Sequence, residues 1–223
     1  MDRFLLLRFA HLVGLMLMSA GLIGVFVADM RSRQVRDVKL FAQAVTFIAV
    51  FYDGLVVPGA LLLLASGTWL IVSYHGGWEF LYAPWLVGMV ILFGLEFIEG
   101  NTITRLYFMR LRRLARAAIV VGRMTPELAQ ARAEQLASFT HFLDIPILLV
   151  IVALGALRPN DWTQFVIGIV IAVAAASLLN YFIPRLYPWG GRSPRGCLLF
   201  PCRRISQSSL IQTVLAASTR RTA

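Results

Sequence analysis

Two short motifs place ionisable side chains in otherwise apolar stretches of the sequence. An E-x-x-E motif contains Glu96 and Glu99, and an H-x-x-D motif contains His141 and Asp144. Residues three apart share one face of a helix, so each motif directs two ionisable groups to one side. Asp53 interrupts a third apolar stretch. These five residues predict a polar cluster that acts as an ion, proton or metal site, with purely structural pairing as the alternative.

The residues around Glu96 predict where its side chain points. Gly88, Leu92, Glu96 and Gly100 are spaced by four residues and share one stripe of a helix. Glycines on a stripe allow another helix to approach closely. We therefore expect Glu96 to face the interior of a helical bundle and not lipid.

His11 and His75 permit a different chemistry. Histidine is a common axial ligand of haem iron, so a b-type haem between the first two helices is an alternative. The sequence has no C-x-x-C-H, Walker or G-x-S-x-G motif to support haem attachment, ATP hydrolysis or serine-hydrolase chemistry. We predict a protein that is not an enzyme and has no resident cofactor, with haem b and a divalent metal as the alternatives.

Composition indicates the environment of these groups. Hydrophobic residues make up 59% of the chain and charged residues 14%, against about 25% charged in ordinary globular proteins. The charges crowd into short stretches and leave apolar runs long enough to cross about 30 Å of hydrocarbon. The sequence thus predicts an all-α, polytopic membrane bundle whose main partner is the lipid bilayer. Nucleic-acid binding is not expected, because the arginines border apolar runs.

The apolar runs predict five transmembrane helices in one domain over residues 1–184. Asp53 and Pro58 divide the long second run into an approaching helix and the span itself. Pro84 fits the first turn of the third span, and Thr125 before Pro126 predicts a helix start. The predicted spans cover residues 5–28, 55–73, 84–99, 142–157 and 163–182, with a helical extension over 102–141.

The last part of the sequence, residues 185–223, differs from the rest. It carries seven arginines and no acidic residue, which is typical of a disordered basic tail. Cys197 and Cys202 lie in it without a nearby histidine. A zinc site needs four ligands, so we expect two incidental thiols.

The distribution of basic residues predicts the orientation of the bundle. Two connectors and the tail hold eighteen arginines and lysines, whereas the remaining segments hold three. Short cytoplasmic loops carry such an excess. This asymmetry predicts an outside N-terminus, a cytoplasmic C-terminus and, for a bacterial chain, the inner membrane.

Several segments resemble a known family. They are R-F-A-H-L-V-G near the start, G-A-L-L-L-L-A-S-G-T-W-L, P-W-L-V-G-M, E-F-I-E-G-N-T-I-T-R and T-H-F-L-D-I-P. Together they resemble a bacterial family of predicted integral membrane proteins of unknown function, numbered 2269, over roughly residues 4–184. More distantly, a histidine early in the first helix is similar to the membrane modules of copper-resistance protein D and membrane-anchored urate oxidases. That likeness implies a small bacterial inner-membrane bundle, sometimes linked to haem or copper.

The leading functional prediction is a small transporter or a membrane-embedded partner subunit that uses the polar cluster. A haem- or copper-associated redox protein is the second reading. The third is a structural scaffold, either a homo-oligomer or a subunit bound to another membrane protein. It would assemble through small-residue stripes, namely Ala20, Gly24 and Ala28 on the first helix and Gly168, Ala172 and Ala176 on the fifth.

Overall fold

The computed structural model describes residues 3–187, and this part of the chain is helical with short turns. Its α-helices are α1 (Arg3–Gln34), α2 (Val38–Phe51), α3 (Val57–Tyr74), α4 (Pro84–Glu99), α5 (Arg105–Val121), α6 (Pro126–Arg132), α7 (Gln135–Leu157) and α8 (Thr163–Leu186). A 3-10 helix, Gly77–Tyr82, precedes α4. The predictions for Cys197, Cys202 and the rest of residues 188–223 lie outside the described residues.

Five helical segments are long and apolar enough to cross a membrane, which confirms the predicted all-α class and number of spans for the described residues. Three of them contain 32, 37 and 38 residues, or about 48 to 57 Å at 1.5 Å per residue. Each therefore has length left beyond one crossing of about 30 Å. The membrane-spanning segments are Arg3–Gln34, Val38–Tyr74, Pro84–Val121, Gln135–Leu157 and Thr163–Leu186.

Each of the two longest segments contains one wider π-helical turn. The first π-helical turn, Tyr52–Val56, joins α2 to α3 and is closed by a hydrogen bond from the Val57 amide to the Tyr52 carbonyl. Pro58 lies two residues after the end of this turn. Proline has no backbone N–H to donate, and its ring crowds the carbonyl group one turn earlier in the helix. A widened π-helical turn relieves this crowding, so the helical segment Val38–Tyr74 continues without a break.

The second π-helical turn, Gly100–Thr104, joins α4 to α5. Polar side chains support the backbone here. The Asn101 amide nitrogen donates to the Phe97 carbonyl oxygen at 2.8 Å, and the Thr102 hydroxyl donates to that of Ile98 at 2.6 Å. Such local bonds compete with the regular helical ladder and favour a departure from it.

The helices pack in two groups that meet along α1 and α7. α1 lies against both α3 and α2, and α7 lies against both α4 and α8. α2 also packs on α5, which continues into α6. We call the end of the bundle where α1 ends and α5 and α6 lie the basic end, because it carries Arg31, Arg110, Arg113, Arg116 and Arg123. Its core is apolar and includes Phe41, Ile48, Leu111 and Leu128, all fully buried.

Glycines set the distance between α1 and α3. A Cβ atom added to Gly59 would lie 2.5 Å from the Met18 backbone nitrogen, and one added to Gly21 would lie 2.6 Å from a Val56 methyl carbon. The predicted stripe on α1 only partly matches this contact: Ala20 is exposed, and Gly24 faces the Phe51 ring.

The predicted stripe on α8 packs inside the chain. Ala172 and Ala176 are buried, and a Cβ atom added to Gly168 would lie 2.7 Å from a Val150 methyl carbon on α7. These small residues join α8 to α7. Their use in assembly between molecules stays a prediction.

Both proline-based helix starts are confirmed. Pro84 is in the first turn of α4. Thr125 caps α6, its hydroxyl accepting a hydrogen bond from the Leu128 amide at 3.3 Å, with Pro126 in the first turn.

Candidate functional site

The two π-helical turns meet, and ionisable groups surround the meeting point. Tyr52 opens the first turn and is buried, while Gly100 opens the second. A Cβ atom added to Gly100 would lie 2.7 Å from the Tyr52 hydroxyl oxygen, so only glycine lets the hydroxyl come this close. π-helical turns inside α-helices are frequent at functional sites. In the structure, the polar cluster consists of Tyr52, Glu96, Glu99, His141 and Asp144, with Tyr52 in place of the predicted Asp53. The name is used for these five residues below.

Two carboxyl groups form the centre of the polar cluster. Glu96 on α4 is 6% exposed and Asp144 on α7 is 4% exposed. With Tyr52, they line a cavity of about 20 Å³, whose other walls include Met18, Leu22 and Ala60. That volume holds roughly one water molecule. Glu96 thus faces inward, as its glycine-containing stripe predicts, with Gly88, Leu92 and Gly100 also buried.

Glu99 joins the cluster from the side of the second π-helical turn. It lies within electrostatic reach of Glu96 and Asp144. Its carboxylate accepts a hydrogen bond from the Thr104 hydroxyl at 2.7 Å. The Thr104 hydroxyl oxygen is also 3.4 Å from that of Thr140 on α7. Hydroxyl groups therefore link this carboxylate to the neighbouring helix.

His141 is buried beside Asp144. The residue is 3% exposed, and its Nδ1 atom is 3.5 Å from an Asp144 carboxylate oxygen. The rings of Phe26, Phe108 and Phe142 surround the imidazole, with centroid distances of 6.4, 5.2 and 5.5 Å. Neither ring nitrogen has a hydrogen-bond partner among the described residues. Such buried polar atoms are uncommon and often have a functional reason.

Asp53 does not join the other four predicted residues. Its side chain is 52% exposed and forms an ion pair with Arg105 at 3.1 Å. Consecutive helical residues point in directions about 100° apart. Because Tyr52 faces inward, Asp53 faces outward. The structure brings together Glu96, Glu99, His141 and Asp144, and their role as an ion, proton or metal site stays a prediction.

A second buried charged group lies on α1, at the basic end. Arg33 donates to the Asp29 carboxylate at 2.9 Å, and the two side chains are 3% and 2% exposed. Arg33 also reaches the Ser138 hydroxyl oxygen at 3.4 Å and lies over the Phe142 ring. This pair is not part of the polar cluster predicted from the sequence. Its four-residue spacing is a signal for pairing, but it falls in a stretch that the charge pattern assigns to a connector.

Arg132 on α6 packs close to this pair. Its guanidinium carbon lies 4.5 Å from the centre of the Phe41 ring, and a guanidinium nitrogen is 3.3 Å from the Met124 sulfur. Burial, with a smaller contribution from the nearby Arg33, lowers the pKa of the Arg132 guanidinium to about 10. Arg132 therefore stays positively charged at neutral pH.

The two histidines of the haem alternative have separate surroundings. The His11 Nδ1 atom is 3.0 Å from the Ser66 hydroxyl oxygen, and its ring lies against Gly67. His75 ends α3 and packs edge-on against Trp85 on α4. Eight residues separate Gly67 from His75, or about 12 Å along a helix. The structure gives each histidine its own partners.

Metal ligation was one possible use of these side chains. In the range 3–187, no three histidine, cysteine, aspartate or glutamate side chains are grouped so that they could hold one metal ion. The groups that the polar cluster does combine are carboxyls, an imidazole and a phenol. All three kinds can exchange protons.

A family model described as "Predicted integral membrane protein (DUF2269)" matches residues 5–159. The chain belongs to the DUF2269 family. The matched region runs from α1 to the end of α7, and it contains the complete polar cluster and the Asp29–Arg33 pair. No curated protein and no solved structure matches this DUF2269 chain.

Proposed function

We propose that the protein is a small membrane transporter, or a membrane-embedded partner subunit, that binds and releases protons at the polar cluster. The observation that carries this proposal is the position of Glu96 and Asp144. They come from two helices, are almost completely buried and face one cavity. Ionisable residues inside membrane helices are costly and commonly mark proton or ion pathways.

The chemistry of paired carboxyls supports a proton as the bound species. Two carboxylates in one dry site repel each other, and one bound proton removes that repulsion. Glu99 and His141 offer further positions for the proton, while the Tyr52 hydroxyl can donate to a carboxylate or to one water molecule. Gain and loss of a proton would change the charge of a site shared by α4 and α7. Such a change can couple to a movement of one helix against the other.

We also propose that the basic end faces the cytoplasm and that the N-terminus is outside, in the inner membrane of a bacterial cell. The basis is the excess of arginine in the connectors that follow α1 and α4. This orientation would place the Asp29–Arg33 pair on the cytoplasmic side of the polar cluster. It would place His11 and His75 on the outer side.

Infrared difference spectroscopy tests proton binding without knowledge of a transported substrate. The purified protein in lipid nanodiscs is compared at about pH 6 and at alkaline pH, a range in which exposed carboxyl groups stay ionised. The carbonyl band of protonated carboxyl groups is followed. We expect Glu96→Gln and Asp144→Asn each to remove part of the pH-dependent band. Glu79→Gln is the matched control, because Glu79 is an exposed glutamate in the 3-10 helix before α4. Glu96 and Asp144 variants with the wild-type band would contradict the proposal.

A further inference from the structure

Buried polar groups continue from the polar cluster toward the basic end along α7. Asp144, His141 and Thr140 are buried and Ser138 is partly buried. Ser138 and Asp144 are six positions apart on the helix, or about 9 Å. Thr140 is 8% exposed and His141 3% exposed. The polar groups on α7 thus reach from the carboxyl pair to the neighbourhood of Arg33.

Hydroxyl groups provide hydrogen-bonded steps along this route. The Thr104 hydroxyl donates to Glu99, and the Thr104 and Thr140 oxygens are 3.4 Å apart. The Thr140 hydroxyl can donate its one proton either to the Thr104 oxygen or to the Ala137 carbonyl oxygen, which is 3.2 Å away. A hydroxyl can accept a proton on its oxygen and release its own proton to the next acceptor. Proton transfer along such groups needs no oxidant or reductant.

The Asp29–Arg33 pair is at the far end of this route. Arg33 contacts Ser138, and the Phe142 ring under its guanidinium is also a neighbour of His141. Tyr107 on α5 and Arg132 on α6 lie within electrostatic reach of the pair. Glu134, before α7, lies within electrostatic reach of Tyr107. Asp29 is thus a buried carboxylate, a possible proton acceptor, at the basic end.

On the side of the polar cluster away from the basic end, α1 and α3 pack tightly. α1 and α3 approach there so closely that a Cβ atom added to Gly14 would lie 3.0 Å from the Gly59 carbonyl oxygen. One added to Gly59 would lie 2.5 Å from the Met18 backbone nitrogen. Met18 lines the cavity, whereas His11 and Ser66 lie beyond this contact.

We infer that the polar cluster exchanges protons with the solution at the basic end, through Thr104, Thr140 and His141 and the Asp29–Arg33 pair. This inference rests on the proposed function, because it assumes that Glu96 and Asp144 bind protons. It goes further in naming the residues that connect them to solution. It leaves His11 and Ser66 outside this route.

The rate of proton uptake by the cluster tests this inference. Protein in nanodiscs exposes both ends to buffer, so a pH jump followed by time-resolved infrared spectroscopy reads the carboxyl band whichever end admits protons. Thr140→Val removes a hydroxyl and keeps the side-chain shape, and we expect roughly ten-fold slower uptake, as for the loss of one hydrogen bond. Asp29→Asn combined with Arg33→Gln removes the charges together and should slow uptake by about 10²-fold, the low end for a positioned proton-transfer group.

The matched controls are Ser66→Ala and His11→Asn, which remove a buried hydroxyl and an imidazole outside the proposed route. Both should keep the wild-type rate. Final band amplitudes equal to that of the wild type show that each variant retains the site. Wild-type rates in Thr140→Val and in the Asp29 and Arg33 double variant, or slow uptake in the controls instead, would overturn the inference. A wild type with no pH-dependent band would overturn the proposed function itself.

Discussion

At the scale of single residues, two aspartate–arginine ion pairs differ mainly in burial. Asp29 and Arg33 are 2.9 Å apart with side chains almost completely buried, whereas Asp53 and Arg105 are 3.1 Å apart with side chains about half exposed. A buried charge loses its hydration and depends on its partner, while an exposed charge is screened by solvent. An aspartate–arginine ion pair therefore affects the free energy of unfolding differently at the two positions.

Asp29→Asn and Asp53→Asn should separate these cases. We expect Asp29→Asn to lower the free energy of unfolding by about 3 to 5 kcal/mol, because it removes the carboxylate that a buried arginine binds. Asp53→Asn should cost at most about 1 kcal/mol. Reversible unfolding in mixed detergent micelles measures both. Equal losses for the two variants would show that the difference in burial has no energetic effect.

The sequence predicts part of the site at this scale. The stripe of Gly88, Leu92, Glu96 and Gly100, spaced by four residues, correctly indicates the buried face of α4. Close packing between helices favours small residues at such regular spacing. No residue spacing in the sequence indicates that Asp53 faces outward, because its direction depends on the first π-helical turn. The burial of Asp29 and Arg33 also depends on α7 and on contacts far apart in sequence, which local spacing cannot show.

At the scale of elements, a glycine inside an α-helix is needed where two helices touch closely. Gly59 on α3 meets the backbone of α1, whereas a Cβ atom added to Gly94 on α4 would meet nothing within 4 Å. Both glycines lie inside α-helices. Their sequence context is similarly apolar, so the need for glycine at position 59 comes from tertiary packing.

Gly59→Ala and Gly94→Ala form a matched pair of variants. Gly59→Ala must push α3 away from α1, and we expect a loss of about 1 to 3 kcal/mol, as for other overpacked sites. Gly94→Ala should be neutral or stabilising by up to about 1 kcal/mol, because alanine favours the helix. The same unfolding measurement compares them. A Gly59→Ala protein as stable as Gly94→Ala would contradict the close contact between α1 and α3.

At the scale of the whole molecule, apolar length and charge define two different ends. Aromatic residues, among them Trp78 and Tyr82, lie at one end, and the arginines of α5 lie at the other. The five membrane-length helices follow from the sequence because hydrophobic length is a local property. The contacts among α2, α5 and α6 at the basic end do not follow from it, since they depend on how the long helices pack.

Cysteine labelling in intact cells tests the orientation. Tyr82→Cys and Val120→Cys lie at opposite ends, and the native side chains are both 88% exposed. Cys197 and Cys202 are first replaced by serine. We expect a membrane-impermeant maleimide to label Cys at position 82 directly and at position 120 only after permeabilisation. The reverse pattern would invert the proposed sides of the membrane.

The central claim is that Glu96 and Asp144 hold an exchangeable proton inside the bundle. Its most direct test is the infrared carboxyl band of the intact protein across a pH titration. We expect a carboxyl signal that changes with pH above about pH 6, where exposed carboxyl groups are ionised. It should persist in Glu79→Gln and be diminished in both Glu96→Gln and Asp144→Asn. A signal that is identical in all four proteins would contradict the claim.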